Sequence, residues 1–141
     1  MFKRALIVSL FITSGALAHT GATGIVKERM EGFKAAKTSM KTLKTAVRAE
    51  DFDTLTSEAE RLQLWFSDLE RYFPEGSNEK PSEALDIIWQ EFDQFSGIAQ
   101  ETRDASAALL KAAERRDRGA AIDAFSDLAA SCKACHDDYR E

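Results

Sequence analysis

Only five residues follow the run Cys132-Lys133-Ala134-Cys135-His136, so whatever this run binds must be enclosed by chain that precedes it. Its two cysteines are the only ones in the 141 residues, and C-x-x-C-H is the spacing of covalent c-type haem attachment. On a helix, Cys132 and Cys135 lie about one turn apart on one face, where both thiols can meet the two vinyl groups along one porphyrin edge. His136 follows directly and can turn its imidazole under the iron as the fixed axial ligand. The rival readings are weaker. A closed zinc site needs four ligands, and the only other histidine is His19, near the start of the chain. A thioredoxin-like dithiol belongs at the start of a helix inside a βαβ pattern, which this sequence lacks.

The chain opens on a targeting pattern. Lys3 and Arg4 are followed by an apolar run, Ala5 to Ala16, and Ala16-Leu17-Ala18 is a small-x-small cleavage site. Residues 1–18 are expected to be a cleaved secretion signal and 19–141 the mature domain, with an uncleaved anchor as the alternative. The apolar run is too short to span a bilayer, and no later stretch approaches the required length. Export to the periplasm fits the cysteines, because bacterial c-type haems are attached outside the cytoplasmic membrane. Loss of Lys3 and Arg4 takes the formal charge from -5 to -7. An acidic chain gives no reason to expect nucleic acid, whose phosphates it would repel.

From about Gly24 the apolar residues recur at helical spacing, and strand alternation is absent. A first helix carries Val26, Met30, Phe33, Met40, Leu43 and Val47 on one side and Lys27, Lys34, Lys37, Lys41 and Lys44 on the other. A second runs through Phe52, Leu55, Ala59, Leu62, Phe66, Leu69 and Phe73 in steps of three and four, capped by Asp51 or Asp53 and ended by Pro74. Pro74 to Pro81 is a loop. Ser82 offers an N-cap to a third helix through Ile88, Phe92, Phe95, Ala99, Thr102, Ser106, Leu109 and Ala113. Gly97 within it marks either a close approach or a tolerated weakness. After a connection at Arg115 to Gly119, a fourth helix puts Ala121, Phe125, Leu128, Cys132, Cys135 and Tyr139 on one stripe. Such seams suit an antiparallel four-helix bundle, all-α, with the haem attached to its last helix.

A secretion signal, a four-helix pattern and C-x-x-C-H-x-x-x-R at the C-terminus together resemble the class II c-type cytochromes, the cytochrome c′ family. The likeness spans nearly all of the mature chain. It includes Arg29-Met30-Glu31-Gly32-Phe33-Lys34, Tyr72-Phe73-Pro74-Glu75-Gly76-Ser77, Glu83-Ala84-Leu85-Asp86-Ile87-Ile88-Trp89 and Cys132 through Arg140. In the family, a motif R-x-x-x-M-K supplies a methionine ligand in low-spin members, whereas cytochromes c′ proper carry a non-ligating residue there. Aligning Arg29 with that arginine puts Phe33 at the ligand position. The resemblance therefore implies a five-coordinate, high-spin iron under an apolar cover. Met30, three residues earlier and about 4.5 Å along the helix, is the alternative sixth ligand. Met40, about 10 Å beyond Phe33, is expected to be core packing.

The resemblance assigns further haem contacts, each with a plainer alternative. Arg29 either pairs with a propionate or is an exposed helix arginine. Glu83 lies near the haem edge or is a first-turn acid. Trp89 covers the haem or fills the core. Arg140 tunes the proximal side of His136 or answers the helix dipole. Apart from the resemblance, Gly32, next to Phe33, is a candidate for letting the haem approach.

The functions that follow are binding of NO or CO at an open iron, and one-electron transfer with a redox partner protein. The acidic surface would steer a basic partner. Bound O₂ usually needs a distal hydrogen-bond donor, which Phe33 is not. Catalysis is not expected, because no acid or base stands on the apolar stripe. The family often forms homodimers through its first two helices, and Leu64 and Trp65, off the seams, would serve such a contact.

Overall fold

The computed structural model describes residues 21–141; the expected signal segment and His19 lie outside the described residues. Four long helices form the bundle: α1 (Gly24–Ala49), α2 (Phe52–Ser67), α4 (Phe92–Glu114) and α5 (Arg118–Tyr139). A 3-10 turn, Leu69–Tyr72, extends α2, and a single turn, α3 (Ile87–Gln90), precedes α4. Among the described residues there is no strand, only an isolated antiparallel bridge between Ala84 and Arg140. No described helix is long and apolar enough to cross a membrane.

The helices stop where their chemistry stops them. At the end of α1, Glu50 enters the left-handed region at φ 55°, and the N–H groups of both Glu50 and Asp51 bond back to Ala46 O. Asp51 then caps α2, its carboxylate accepting from Thr54 N at 3.1 Å and from Thr54 Oγ1 at 2.6 Å. Arg116, at φ 53°, ends α4 in the same way, and Asp117 caps α5 by accepting from Ala120 N at 3.1 Å. These two-residue and three-residue turns hold one end of the bundle tight. Leu43, Leu55, Leu62, Leu109 and Leu128 fill that end, with Ala46, Ala59, Ala112, Ala113, Ala121 and Ala124 between them.

The other end is joined by the long segment from Phe73 to Asp86, and its core is aromatic. Ser82 does not cap a helix here. Its hydroxyl accepts from Ala84 N at 3.1 Å within a turn and from Arg29 Nη2 at 2.8 Å, and residues 82–86 stay irregular. That irregular stretch pairs instead with the C-terminus: Leu85 N donates to Tyr139 O at 3.1 Å and Glu141 N to Glu83 O at 2.9 Å. Gly97 has nothing within 4 Å of where its Cβ would stand, so it is a tolerated weakness and not a close approach. Helix α2 packs broadly on α4, and α4 on α5, whereas α1 and α5 meet over a much smaller area. The gap between α1 and α5 at the aromatic end is the site.

Candidate functional site

A cavity of about 620 Å³ opens between α1 and α5, within the range of small-molecule and cofactor sites. Its walls are apolar: Leu62, Phe66 and Leu69 from α2 and the turn after it, Phe73, Ile88, and Phe95 and Ala99 from α4. Helix α5 presents Cys132, Cys135 and His136 to it, and α1 presents Met30, Phe33 and Met40. Charged groups gather at the rim, with Arg29, Lys34 and Lys37 on α1, Glu83 in the loop and Arg140 at the end of α5.

Both thiols are free and half-buried. Burial pushes the Cys132 thiol up, and burial together with Cys132 and Asp138 pushes Cys135 to about 11. Both are therefore neutral thiols near pH 7, the opposite of the lowered pKa that a reactive dithiol needs. Among the described residues no three His, Cys, Asp or Glu side chains converge as a metal-binding group. Two thiols one helical turn apart, a histidine beside them and an apolar slot in front fit a haem joined at one edge and ligated from α5. Partial burial and Arg140 lower the His136 pKa, against the opposing pull of Asp137 and Glu83. A lowered value favours the neutral imidazole, the form that donates to a metal.

Phe33 is held in an aromatic frame. Its ring meets Trp65 edge-on, with centroids 5.6 Å apart at 84°, and Phe73 at 6.3 Å and 70°. Trp65 in turn lies 4.7 Å from Tyr72. Gly32 exists for this frame: a Cβ there would stand 2.1 Å from Trp65 Cη2 and 2.4 Å from Cζ3, so the indole occupies the missing side chain's place. That corrects the expectation that Gly32 admits the haem. Trp65 is half-buried with its ring packed against α1, while Leu64 is 66% exposed. The indole Nε1 of Trp65 is buried without a hydrogen-bond partner.

Arg29 is not an exposed helix arginine; it is 2% exposed. Its Nη1 donates to Tyr72 O at 2.8 Å and Ser77 Oγ at 2.9 Å, and its Nη2 to Ser77 O at 2.5 Å and Ser82 Oγ at 2.8 Å. The guanidinium also stands 4.3 Å from the Phe73 ring centroid. Arg29 therefore ties α1 to the long loop, with its terminal nitrogens engaged there. Glu83 and Arg140 come together as an ion pair, Arg140 Nε donating to Glu83 Oε2 at 2.5 Å. Because residues 82–86 are not helical, Glu83 is not a first-turn acid.

Of the nine haem-contact candidates, eight line this cavity: Arg29, Met30, Phe33, Glu83, Cys132, Cys135, His136 and Arg140. Trp89 does not; it donates from Nε1 to Phe73 O at 3.0 Å and packs in the aromatic core, with its neighbour Ile88 on the cavity wall. Met40, expected to be core only, packs on the aliphatic core and also lines the cavity. The walls from Phe66, Leu69 and Phe95 looked like ordinary seam residues, and nothing in their spacing separates a cavity wall from a closed core.

Residues 24–140 match the family model described as Cytochrome C′. A cytochrome c′ of Pararhodospirillum photometricum is 31% identical over 121 residues, covering 82% of this chain and 95% of that protein. The cytochrome c′ of Shewanella frigidimarina superposes with a TM-score of 0.77 at 25% identity, over 83% of this chain and 94% of that one. A variant of the Alcaligenes xylosoxidans cytochrome c′, solved as a nitric oxide complex, superposes with a TM-score of 0.74 at 27% identity, over 83% and 93%.

Proposed function

The chain belongs to the cytochrome c′ family, and on that premise we propose that it is an exported monohaem cytochrome that binds NO or CO at an iron held by His136 alone. As a member it carries one haem c, and Cys132 and Cys135, which line the cavity, would hold it. When bound, the haem supplies an iron that takes diatomic ligands and exchanges one electron. His136, presented to the cavity by α5, would hold the iron of that haem. Phe33, braced by Trp65 and Phe73, gives the α1 side a phenyl ring without a lone pair or a donor. Arg29, whose terminal nitrogens are occupied by the loop, offers that side no ready hydrogen bond. A small ligand that needs no donor suits this arrangement better than O₂. The nitric oxide complex of the Alcaligenes xylosoxidans variant supports the same reading.

The observation that carries the proposal is the placement of Phe33, and not a ligating side chain, in the braced position. The second reading, a low-spin electron carrier, rests on Met30, which lines the cavity and is 40% exposed. Stopped-flow addition of CO to the reduced holoprotein separates the two. Phe33→Ala is expected to speed CO association by about tenfold or more by removing steric cover, and Met30→Ala to leave it unchanged. A wild-type protein inert to CO that becomes reactive in Met30→Ala would overturn the proposal and put the thioether on the iron.

A further inference from the structure

The formal charge of the chain is negative, yet α1 borders the cavity with a ridge of one sign. Lys27, Lys34, Lys37, Lys41, Lys44 and Arg48 are all exposed, and at about 100° per residue they share one sector of the helix roughly 100° wide. Met30 and Phe33 lie in or beside that sector, so the ridge runs along the cavity mouth, whereas Glu28 and Glu31 fall on the flank towards α2. Among the described residues only Lys27 of the six forms an ion pair, with Glu31. Lys34, Lys37, Lys41, Lys44 and Arg48 follow one another in steps of three and four, each step a mildly destabilising like-charge pair. Folding alone gives no reason for that arrangement.

Helix α5 completes the face. Ala129 lines the cavity there, with Ile122 and Lys133 beside it; Lys133 is neutralised by an ion pair with Asp137, and Asp123, Asp127 and Asp138 fall on the flank turned away, so the positive charge of this face comes from α1. The two propionates of a seated haem would neutralise at most two of the ridge charges. The result is a small apolar centre at the cavity mouth with cations along one side.

We propose that this α1–α5 face docks an acidic electron-transfer protein, which gives one electron to the ferric iron and is itself oxidised, or receives one from the ferrous iron and is reduced. The inference rests on the haem-site reading above and reverses the partner that net charge alone suggests, because local field and not total charge orients two proteins at contact. A second copy of the chain is a poor occupant, since a two-fold contact would press the ridge against itself. A bilayer is disfavoured because the exposed large apolar residues, Met30, Leu64 and Ile122, include no aromatic anchor.

The test is the rate at which the reduced holoprotein is oxidised by hexacyanoferrate(III), an anion, and by tris(phenanthroline)cobalt(III), a cation, across ionic strength. The hexacyanoferrate rate is expected to fall as salt rises, against the sign of the net charge. Lys41→Glu with Lys44→Glu, both outside the cavity wall, should slow it about tenfold at low salt, and Lys111→Glu with Arg115→Glu, the same charge change elsewhere, far less. Poly-L-glutamate should shift amide NMR signals of residues 34–48 and 122–133. A hexacyanoferrate rate that rises with salt, equal effects of the two double variants, or a poly-L-glutamate footprint elsewhere would overturn the docking face. Binding to phosphatidylglycerol vesicles that Lys41→Glu/Lys44→Glu abolishes, without a poly-L-glutamate footprint, would overturn it in favour of a membrane. If neither oxidant reacts, the electron-exchange reading itself fails, which is a different result from the wrong salt dependence.

Discussion

The two ends of the bundle use different side chains to do different things. At the end with the short turns, leucines alternate with alanines, the helices approach closely, and Leu43, Leu109 and Leu128 are fully buried. At the end with the long loop, Phe33, Phe66, Phe73 and Phe95 surround a space they do not fill, with Trp65 packed behind Phe33. Leu and Ala interdigitate in a closed core, whereas rings packed edge-on and tilted line the gap between α1 and α5. Stability of the protein chain is therefore concentrated at one end and the binding site at the other. The aromatic end relies on two devices absent from the aliphatic one: the buried Arg29, and the short pairing of residues 83–85 with 139–141.

The contrast can be broken most severely at the closed end. Leu109→Ala is expected to cost about 3 kcal/mol by urea unfolding, through lost burial and an unfilled cavity. The loss should be similar with and without haem, because Leu109 is remote from the cavity; a cost confined to the holoprotein would contradict the division. Arg29→Met is expected to cost about 2 to 3 kcal/mol, since it leaves buried acceptors without their charged donor. Here amide hydrogen exchange should show residues 72–86 losing protection while α2 and α5 near the short turns keep theirs.

Gly32→Ala sharpens the comparison within the aromatic end. The new Cβ must displace the Trp65 ring, at a cost of about 1 to 3 kcal/mol, and a changed CO association rate should report that Phe33 has lost its brace. Combining it with Trp65→Leu should recover much of the stability, a non-additivity expected only if the two sites share one space. The smallest effect lies at the closed end. The hydrogen bonds from Thr54 hold the Asp51 carboxyl below the usual aspartate range, so the cap contributes stability above that range and loses it as pH falls through the lowered value. The stability difference between the wild type and Asp51→Ala should therefore shrink on acidification and stay constant towards neutral pH.

The helices were legible because each buries one stripe at helical spacing, and Leu55, Leu62, Phe95, Leu109 and Leu128 lie inside as the seams require. The candidate attachment residues were legible because C-x-x-C-H is local, and Cys132, Cys135 and His136 line the cavity. What was hidden depends on residues far apart in sequence. Ser82 has the residue type of an N-cap, but its hydroxyl answers Arg29, 53 positions earlier, and the chain it would have capped pairs with the C-terminus. Gly32 could be interpreted only once Trp65 was known to cross it. The lysines of α1 were visible as an outward face, but not that this face borders the cavity.

The account turns on what stands opposite His136, and the most direct measurement is the EPR spectrum of the oxidised holoprotein, read with its absorption spectrum. A high-spin ferric signal with no methionine-to-iron charge-transfer band is the expected result, and it should persist unchanged in Met30→Ala. A low-spin signal with that band, lost in Met30→Ala, would contradict the account and make the protein a six-coordinate electron carrier.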